Sequence, residues 1–477
     1  MKAGMNMSNT IFTYQAEGKD NMTTTTFVST GRRRGGAGVL TPALVIFGLI
    51  PLLMSAGVAQ AGTATLGAVL HRVEKKTPAL KAAYANVDVF KAKRSIVRSS
   101  FLGEIDAFAH DLHFNDNRLT RPISPPIDFS KMTFDDNQFG YGFSARLPID
   151  LNGHLRNNFH ALTHQTKAAQ ADADNVRLSL LDKTAALYRG IEEIVGRRVA
   201  LQKQAEALRG HIKVAEAAIT VGRIAPVEKL RLVAELKGVE GRLAGLNGTE
   251  AGLRARLAAL LDTTAFTDSV PEVTAEPEEF RVVSDSINNR PDIVAAHELE
   301  NAARSSVRAA WANYLPQFVA AADWQENQGY NGMGQHDGTW QVTIQARLPI
   351  WNGGRRRAEI GQAKAQRRAA QYLIIAKEKQ ALAEVIAARG SWTAAKAQYE
   401  AAQSAVAAAD EVARIQTDRF DQGRLSAADL VDAEAALAGA RSELTASLVR
   451  WWRADDSLRL AIGMPPAEYS QYDGNEQ

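Results

Sequence analysis

The chain has no cysteine at all, which excludes a disulfide framework, a thiolate metal site and a lipid-modified N-terminal cysteine. Catalytic constellations are missing as well. No Ser/His/Asp, Cys/His or phosphate-loop arrangement stands at a workable spacing, so neither enzymatic activity nor a cofactor is expected. There is no excess of one charge beyond the N-terminus: Lys2, Lys19, Arg32, Arg33 and Arg34 face only Glu17 and Asp20, and the basic and acidic residues that remain are equal in number. Such a balance gives nucleic acid nothing to bind. After residue 61 no apolar run is long enough for a membrane helix, which needs roughly 20 residues. Any membrane contact made after export must therefore be made by strands.

What is present begins with a leader. Residues 31–61 hold Arg32-Arg33-Arg34, an apolar run over 39–54 and the exit Ala59-Gln60-Ala61, the pattern of a secretory signal peptide. A retained transmembrane helix is the competing reading; Pro42 and Pro51 break the run and count against it. Residues 1–61 are set aside as leader and signal peptide, with the mature chain starting at Gly62.

Beyond the leader the chain is two copies of one unit. Arg146-Leu147-Pro148-Ile149 returns as Arg347-Leu348-Pro349-Ile350, and Gly222-Arg223-Ile224 returns as Gly423-Arg424-Leu425, each displaced by 201 residues. Gly153 and Gly354, Arg156 and Arg357, Leu236 and Leu437 and Leu257 and Leu458 keep the same offset. The period is too long for a solenoid, so each copy is a large structural half.

Each copy opens with a helical stretch, 66–98 and 284–312, carrying Thr77-Pro78 and Arg290-Pro291-Asp292 in first-turn positions. The period then switches to alternation. Phe139, Tyr141, Phe143, Ala145, Leu147 and Ile149 are apolar while Gln138, Gly140, Gly142, Ser144 and Arg146 fill the other face; Trp340, Val342, Ile344, Ala346, Leu348 and Ile350 repeat the pattern. These are strands with one greasy and one wet side. Partner strands are expected over 101–114 and 314–326, with hairpin loops over 115–137 and 327–338. A soluble sheet packed on helices is open from the strands alone. Export and the lack of a spare apolar helix face favour a membrane crossing of about 9–11 tilted residues. Four strands cannot close a barrel, and an open edge in lipid is prohibitive, so several chains would share one barrel.

Alanine-rich helices without proline follow, from Gly153 to Gly222 and from Gly354 to Gly423, each about 100 Å long at ~1.5 Å per residue. Return helices run over 227–261 and 428–462. Ser426 with Asp429 reads as a capping box and Pro226 as a first-turn proline, while Gly222 and Gly423 read as left-handed turn residues. The expected fold class is mainly α with a transmembrane β-sheet: a two-fold repeat with long antiparallel helical hairpins and four strands. Its divisions are 62–98, first upper helix; 99–150, first β-hairpin; 151–262, first helical hairpin; 263–283, equatorial linker; 284–312, second upper helix; 313–352, second β-hairpin; 353–462, second helical hairpin; 463–477, tail.

With Arg290-Pro291-Asp292-Ile293 opening a helix, Leu348-Pro349-Ile350-Trp351-Asn352-Gly353-Gly354-Arg355 at the strand-to-helix junction, and Arg419 to Ala433 at the tip, the chain resembles the TolC-like outer-membrane efflux channels of Gram-negative bacteria. The resemblance covers essentially the whole mature chain. It implies a homotrimer with a twelve-stranded barrel in outer-membrane lipid, a helical tunnel in the periplasm, and passive conduction. Its partners would be a periplasmic adaptor and an inner-membrane pump of the RND or ABC type. The cargo reading is small molecules and drugs, with a type I protein secretion duct or a heavy-metal efflux channel as alternatives. A non-channel periplasmic adaptor is disfavoured by the two hairpins and two strand pairs.

The resemblance also carries site residues. Asp429 and Asp432 would line the narrow periplasmic mouth, where a ring of like charge favours cations; the competing reading for Asp429 is a helix cap. Gly222, Arg223, Ile224, Gly423, Arg424, Leu425 and Ser426 would form the adaptor-docking tips. The family tyrosine near the second tip is Phe420 here, without a hydroxyl, so any tie across the closed mouth would have to be an Arg424–Glu228 type contact. His160 and His164, four apart on the long helix with His154 before them, form a weak metal candidate against a solvated helix face. Arg355-Arg356-Arg357 reads as a headgroup anchor at the barrel base, or as a solvated face, rather than a substrate grip, and Trp451 and Trp452 as packing near the linker.

Overall fold

The structure is a computed structural model and describes residues 63–120, 123–279, 284–332 and 338–469. The expected leader and signal peptide, and the end of the tail, lie outside the described residues. The first copy comprises α1 (Leu66–Lys76), α2 (Pro78–Ser99), β1 (Glu104–Leu119), β2 (Phe134–Ile149), α3 (His154–Thr220) and α4 (Pro226–Leu260). The second comprises α5 (Pro291–Ala312), β3 (Gln317–Gly329), β4 (Gly338–Arg347), α6 (Arg355–Asp421) and α7 (Ala427–Ala461). The long helices α3 and α6 have 67 residues each, α4 and α7 have 35, and α2 and α5 have 22.

Two elements differ from the sequence reading. The first upper helix is not continuous over 66–98. It breaks at Thr77, which is extended at φ −60, ψ 123, because Pro78 disfavours helical backbone in the residue before it. The same rule places a 3-10 turn (Ser284–Asn289) ahead of α5, with Arg290 extended before Pro291. The first β-hairpin is longer than the alternation suggested, since β1 runs to Leu119 and β2 starts at Phe134. The added residues include Asn115, Asp116 and Asn117, whose side chains carry no apolar alternation to read.

The residue before each proline does a second job. Thr77 Oγ1 donates to the Leu260 carbonyl at 2.8 Å, and Arg290 Nη1 donates to the Ala461 carbonyl at 2.9 Å. In both copies it thus satisfies a last-turn carbonyl of the return helix that would otherwise lack a partner.

The four strands form one antiparallel sheet in the order β1-β2-β3-β4. Its register builds cross-strand rows of one character. Ala107, Phe143, Trp324 and Trp340 form one row, and Ile105, Ala145, Ala322 and Val342 the next. Asp106, Ser144, Asp323 and Gln341 form a row on the opposite face. The apolar face is uncovered, with Trp340 76% and Ile344 73% exposed. The Phe143 and Trp324 rings stack at 6.1 Å on that face.

The helices repeat this linear order at two levels. Around the upper helices the packing runs α2, α3, α5, α6; around the return helices it runs α4, α3, α7, α6. Small residues allow the close approaches: a Cβ on Gly196 would lie 2.1 Å from Thr445 Cγ2, so any larger residue there forces Thr445 to shift where α3 meets α7. Four apolar clusters hold the described residues together, the smallest being Val87 of α2 with Ala169 and Ala173 of α3. Two sit towards the linker end of the return helices, where α1, α3 and α4 meet around Leu70, Tyr188 and Leu261 in the first copy and where α6 meets α7 around Trp392, Trp451 and Leu458 in the second. The third lies near the hairpin tips, around Leu208, Leu232, Phe420 and Leu430. Each fully buried leucine there contributes about 1.5–3 kcal/mol.

Candidate functional site

Both hairpins turn in the same way. In the first, Arg223 N–H donates to the Ala218 carbonyl at 2.8 Å and Gly222 N–H to Ile219 at 2.9 Å; in the second, Arg424 N–H donates to Arg419 at 2.9 Å and Gly423 N–H to Phe420 at 2.8 Å. This pattern needs a left-handed residue, and Gly222 and Gly423 supply it at φ +71 and +70. The tips Gly222-Arg223 and Gly423-Arg424 are exposed.

The two return helices then start differently. On α7, Ser426 is the N-cap: its Oγ accepts the Asp429 N–H at 3.2 Å and donates to Asp429 Oδ2 at 2.7 Å. On α4, Ala225 has no side chain able to cap and Pro226 occupies the first turn. Glu228 of α4 instead serves the other helix, its Oε2 accepting the Ala427 N–H of α7 at 2.8 Å. A carboxylate there also meets the positive end of the helix dipole. Within the chain Arg424 and Glu228 are not paired. Glu228 is engaged by Ala427 and by Arg231 at 3.8 Å, and Arg424 makes no ion pair among the described residues.

Asp429 and Asp432 are both exposed, three residues apart on one face of α7. Asp429 therefore combines a capping contact with an exposed position. Phe420 is 3% exposed and lies in the tip cluster, with its ring edge-on to His211 at 6.3 Å. Its place in the protomer is in the core and not on an open surface, because an aromatic ring without a hydroxyl is best buried.

His211 was not singled out in the sequence. Its Nε2 lies 3.0 Å from Glu434 Oε1, so a buried polar pair joins α3 of the first copy to α7 of the second. A signal was available: at an offset of 201 these positions hold Val412 and Val233. Comparing the copies for polar-for-apolar exchanges would have found both.

His160 and His164 are not brought to a common ligand. His164 Nδ1 lies 2.6 Å from Glu298 Oε2 on α5 while His160 is exposed, and among the described residues no group of three or more His, Cys, Asp or Glu is arranged to hold a metal ion. Trp452 Nε1 donates to the Ala275 carbonyl of the linker at 2.8 Å. Arg356 donates to the carbonyls of Asn313 and Ile350 and lies over Tyr314 at 4.7 Å, at the base of the sheet.

The sequence profile of the family described as Outer membrane efflux protein matches residues 69–263 and 282–464. Nodulation protein T of Rhizobium leguminosarum bv. trifolii is 22% identical over 346 residues, which cover 70% of this chain and 73% of that protein. Among solved structures, the outer membrane protein VceC of Vibrio cholerae superposes with a TM-score of 0.71 at 19% identity, covering 84% of this chain and 96% of that one. The Campylobacter jejuni CmeC outer membrane channel gives 0.69 at 20% identity, with coverage of 86% and 88%.

Proposed function

Because the chain belongs to the outer membrane efflux protein family, we propose that it is the exit duct of a tripartite efflux system, conducting small molecules passively from the periplasm to the outside. Three copies share one barrel of twelve strands, continued by a tunnel about 100 Å long, the length of the 67-residue helices at ~1.5 Å per residue.

One observation carries this reading. All three layers of the protomer run in the same direction and end on unpaired elements: β1 and β4 in the sheet, α2 and α6 above, α4 and α6 below. A heterologous contact that joins α6 and β4 of one copy to α2, α4 and β1 of the next closes all three layers with one rotation. The apolar residues such a contact needs are exposed on these end elements: Tyr372, Ile375, Leu382 and Ile386 on α6, and Tyr84, Val89 and Ile96 on α2. The apolar sheet face then meets lipid, and no strand edge remains open.

In this assembly Asp429 and Asp432 occur three times around the periplasmic mouth and favour cations there. The tip residues Gly222, Arg223, Ile224, Gly423, Arg424, Leu425 and Ser426 receive a periplasmic adaptor, and an inner-membrane pump supplies the energy. A deletion strain tested against drugs, metal salts and secreted polypeptides checks the cargo. Increased sensitivity to drugs alone is expected; sensitivity confined to metal salts, or loss of a secreted polypeptide only, overturns the small-molecule reading.

A further inference from the structure

Far along α7 from the mouth, Asp456 is 4% exposed and neither of its carboxylate oxygens has a hydrogen-bond donor. No other carboxylate among the described residues is buried without a partner in this way. The cation facing it is Arg189 of α3, 1% exposed, whose Nε stands 3.8 Å from Asp456 Oδ2 and has no hydrogen-bond partner either. Arg189 is already committed elsewhere. Nη1 donates to Glu192 Oε2 at 2.9 Å, Nη2 donates to both oxygens of Glu468 at 2.7 and 2.8 Å, and the guanidinium lies over Trp452 at 4.3 Å.

One guanidinium thus serves three carboxylates. The other charges around Asp456 do not relieve it. Asp182 on α3 and Asp455 on α7 add negative charge. Arg459 is paired with Asp455 at 2.7 Å, which also accepts from Trp392 Nε1 at 3.1 Å. Arg453 lies 4.0 Å from Glu193 and acts on Glu192.

Of the three carboxylates, only Glu468 can withdraw. Glu192 and Asp456 sit within long helices, whereas Glu468 belongs to the strap after Gly463 and its side chain is 24% exposed. The strap fastens the end of the second copy to the first. Tyr469 Oη donates to Glu74 at 2.5 Å and accepts from Arg177 at 2.7 Å, and its ring stacks on His71 of α1 at 4.2 Å, with His71 Nε2 3.3 Å from the Tyr469 carbonyl.

We propose that Asp456 is a proton-operated release for this strap: protonated, it leaves Arg189 to Glu468 and the strap stays docked; ionised, it competes for Arg189, repels Glu468 and loosens the strap. The only covalent change is a proton exchanged with solvent. The repeat supports a role beyond folding, since the positions equivalent to Arg189 and Asp456 in the other copy are Gly390 and Ala255. Burial pushes the Asp456 carboxyl up to about 7; Glu468, Asp455 and Asp182 raise it as well, and Arg189 pulls it down. The docked strap is the proton-binding state, so docking weakens as pH rises from the lower value of the undocked carboxyl up to about 7, by at most about tenfold per pH unit for a single proton, and is constant above that.

Hydrogen-exchange protection of amides 467–469, measured in the full chain in detergent at pH 6 and pH 8.5, tests the device. Wild-type protection factors are expected to fall by up to about tenfold between the two, whereas Asp456→Asn holds its pH 6 value at both. Comparing the proteins at equal pH cancels the intrinsic exchange rate. Glu468→Gln removes the charge that Asp456 repels and is expected to lose the pH dependence too, which keeps the test open if Asp456→Asn folds poorly. His71→Gln, which removes the imidazole that also touches the strap, is expected to keep the fall. Wild-type protection that ignores pH, a fall that persists in Asp456→Asn or Glu468→Gln, or a fall abolished by His71→Gln each overturns the proposal.

Discussion

Glu228 Oε2 accepts the backbone N–H of Ala427 at 2.8 Å, so a carboxylate of the first copy caps a helix of the second. The contact ties the two hairpins near their tips without an arginine. Glu228→Ala removes both the acceptor and the charge and is expected to cost about 1 kcal/mol at that helix end. Glu228→Gln keeps an acceptor and is expected to cost less. In reconstituted channels, single-channel conductance should rise in the order wild type, Glu228→Gln, Glu228→Ala; unchanged conductance in the alanine variant would show that this contact does not restrain the mouth.

Close approach of α3 and α7 depends on Gly196, where an added Cβ would stand 2.1 Å from Thr445 Cγ2. Gly196→Val is expected to lower stability by about 1–3 kcal/mol through overpacking. Thr445→Ala in the same chain should recover part of that loss, because the two atoms share one space. Thermal melting of the single and double variants measures the coupling, and strict additivity would count against the contact.

Global stability should depend on pH through Asp456. Its folded-state carboxyl is raised to about 7, above the ordinary carboxylate value of about 4. The native state therefore holds a proton that the unfolded chain releases between about pH 4 and 7. Stability is fully present below that window and falls as pH rises through it, by about 4 kcal/mol at most. Melting curves of wild type and Asp456→Asn from about pH 3.5 to 8.5 are expected to converge at the acid end and to separate up to about pH 7, the asparagine variant being the more stable.

The exposed stripe Tyr372, Ile375, Leu382 and Ile386 on α6 is where the neighbouring copy would pack. Ile386→Glu places a charge in that contact and is expected to shift the detergent-solubilised protein from trimer towards monomer while leaving its helical circular dichroism intact. A fully assembled Ile386→Glu protein would place the interface elsewhere.

The repeat made most of the architecture legible before any coordinates. The turn glycines Gly222 and Gly423, the proline-opened helices and the alternation around Phe143 and Trp340 each follow from local chemistry, and the structure places a turn, a helix start and a strand there. What escaped were contacts that join residues remote in sequence. Nothing local marks Glu228 as the cap of α7, since a glutamate three residues into a helix suits its own first turn equally well. His211 with Glu434, and Arg189 with Asp456, sit on helix faces whose burial comes from the other copy. Such pairs show in the sequence only as departures from the two-fold repeat, with valine at both positions equivalent to the first pair and glycine and alanine at those equivalent to the second.

The central claim is that open-edged layers close into one duct only when several chains combine. The most direct test is the mass of the assembly extracted in mild detergent, by light scattering corrected for bound detergent or by native mass spectrometry. Three chains are expected, each of 51.7 kDa for the 477 residues less the mass of any leader removed, held in a complex that dissociates only on heating. A monomer under the same conditions, with no heat-sensitive species, would contradict it.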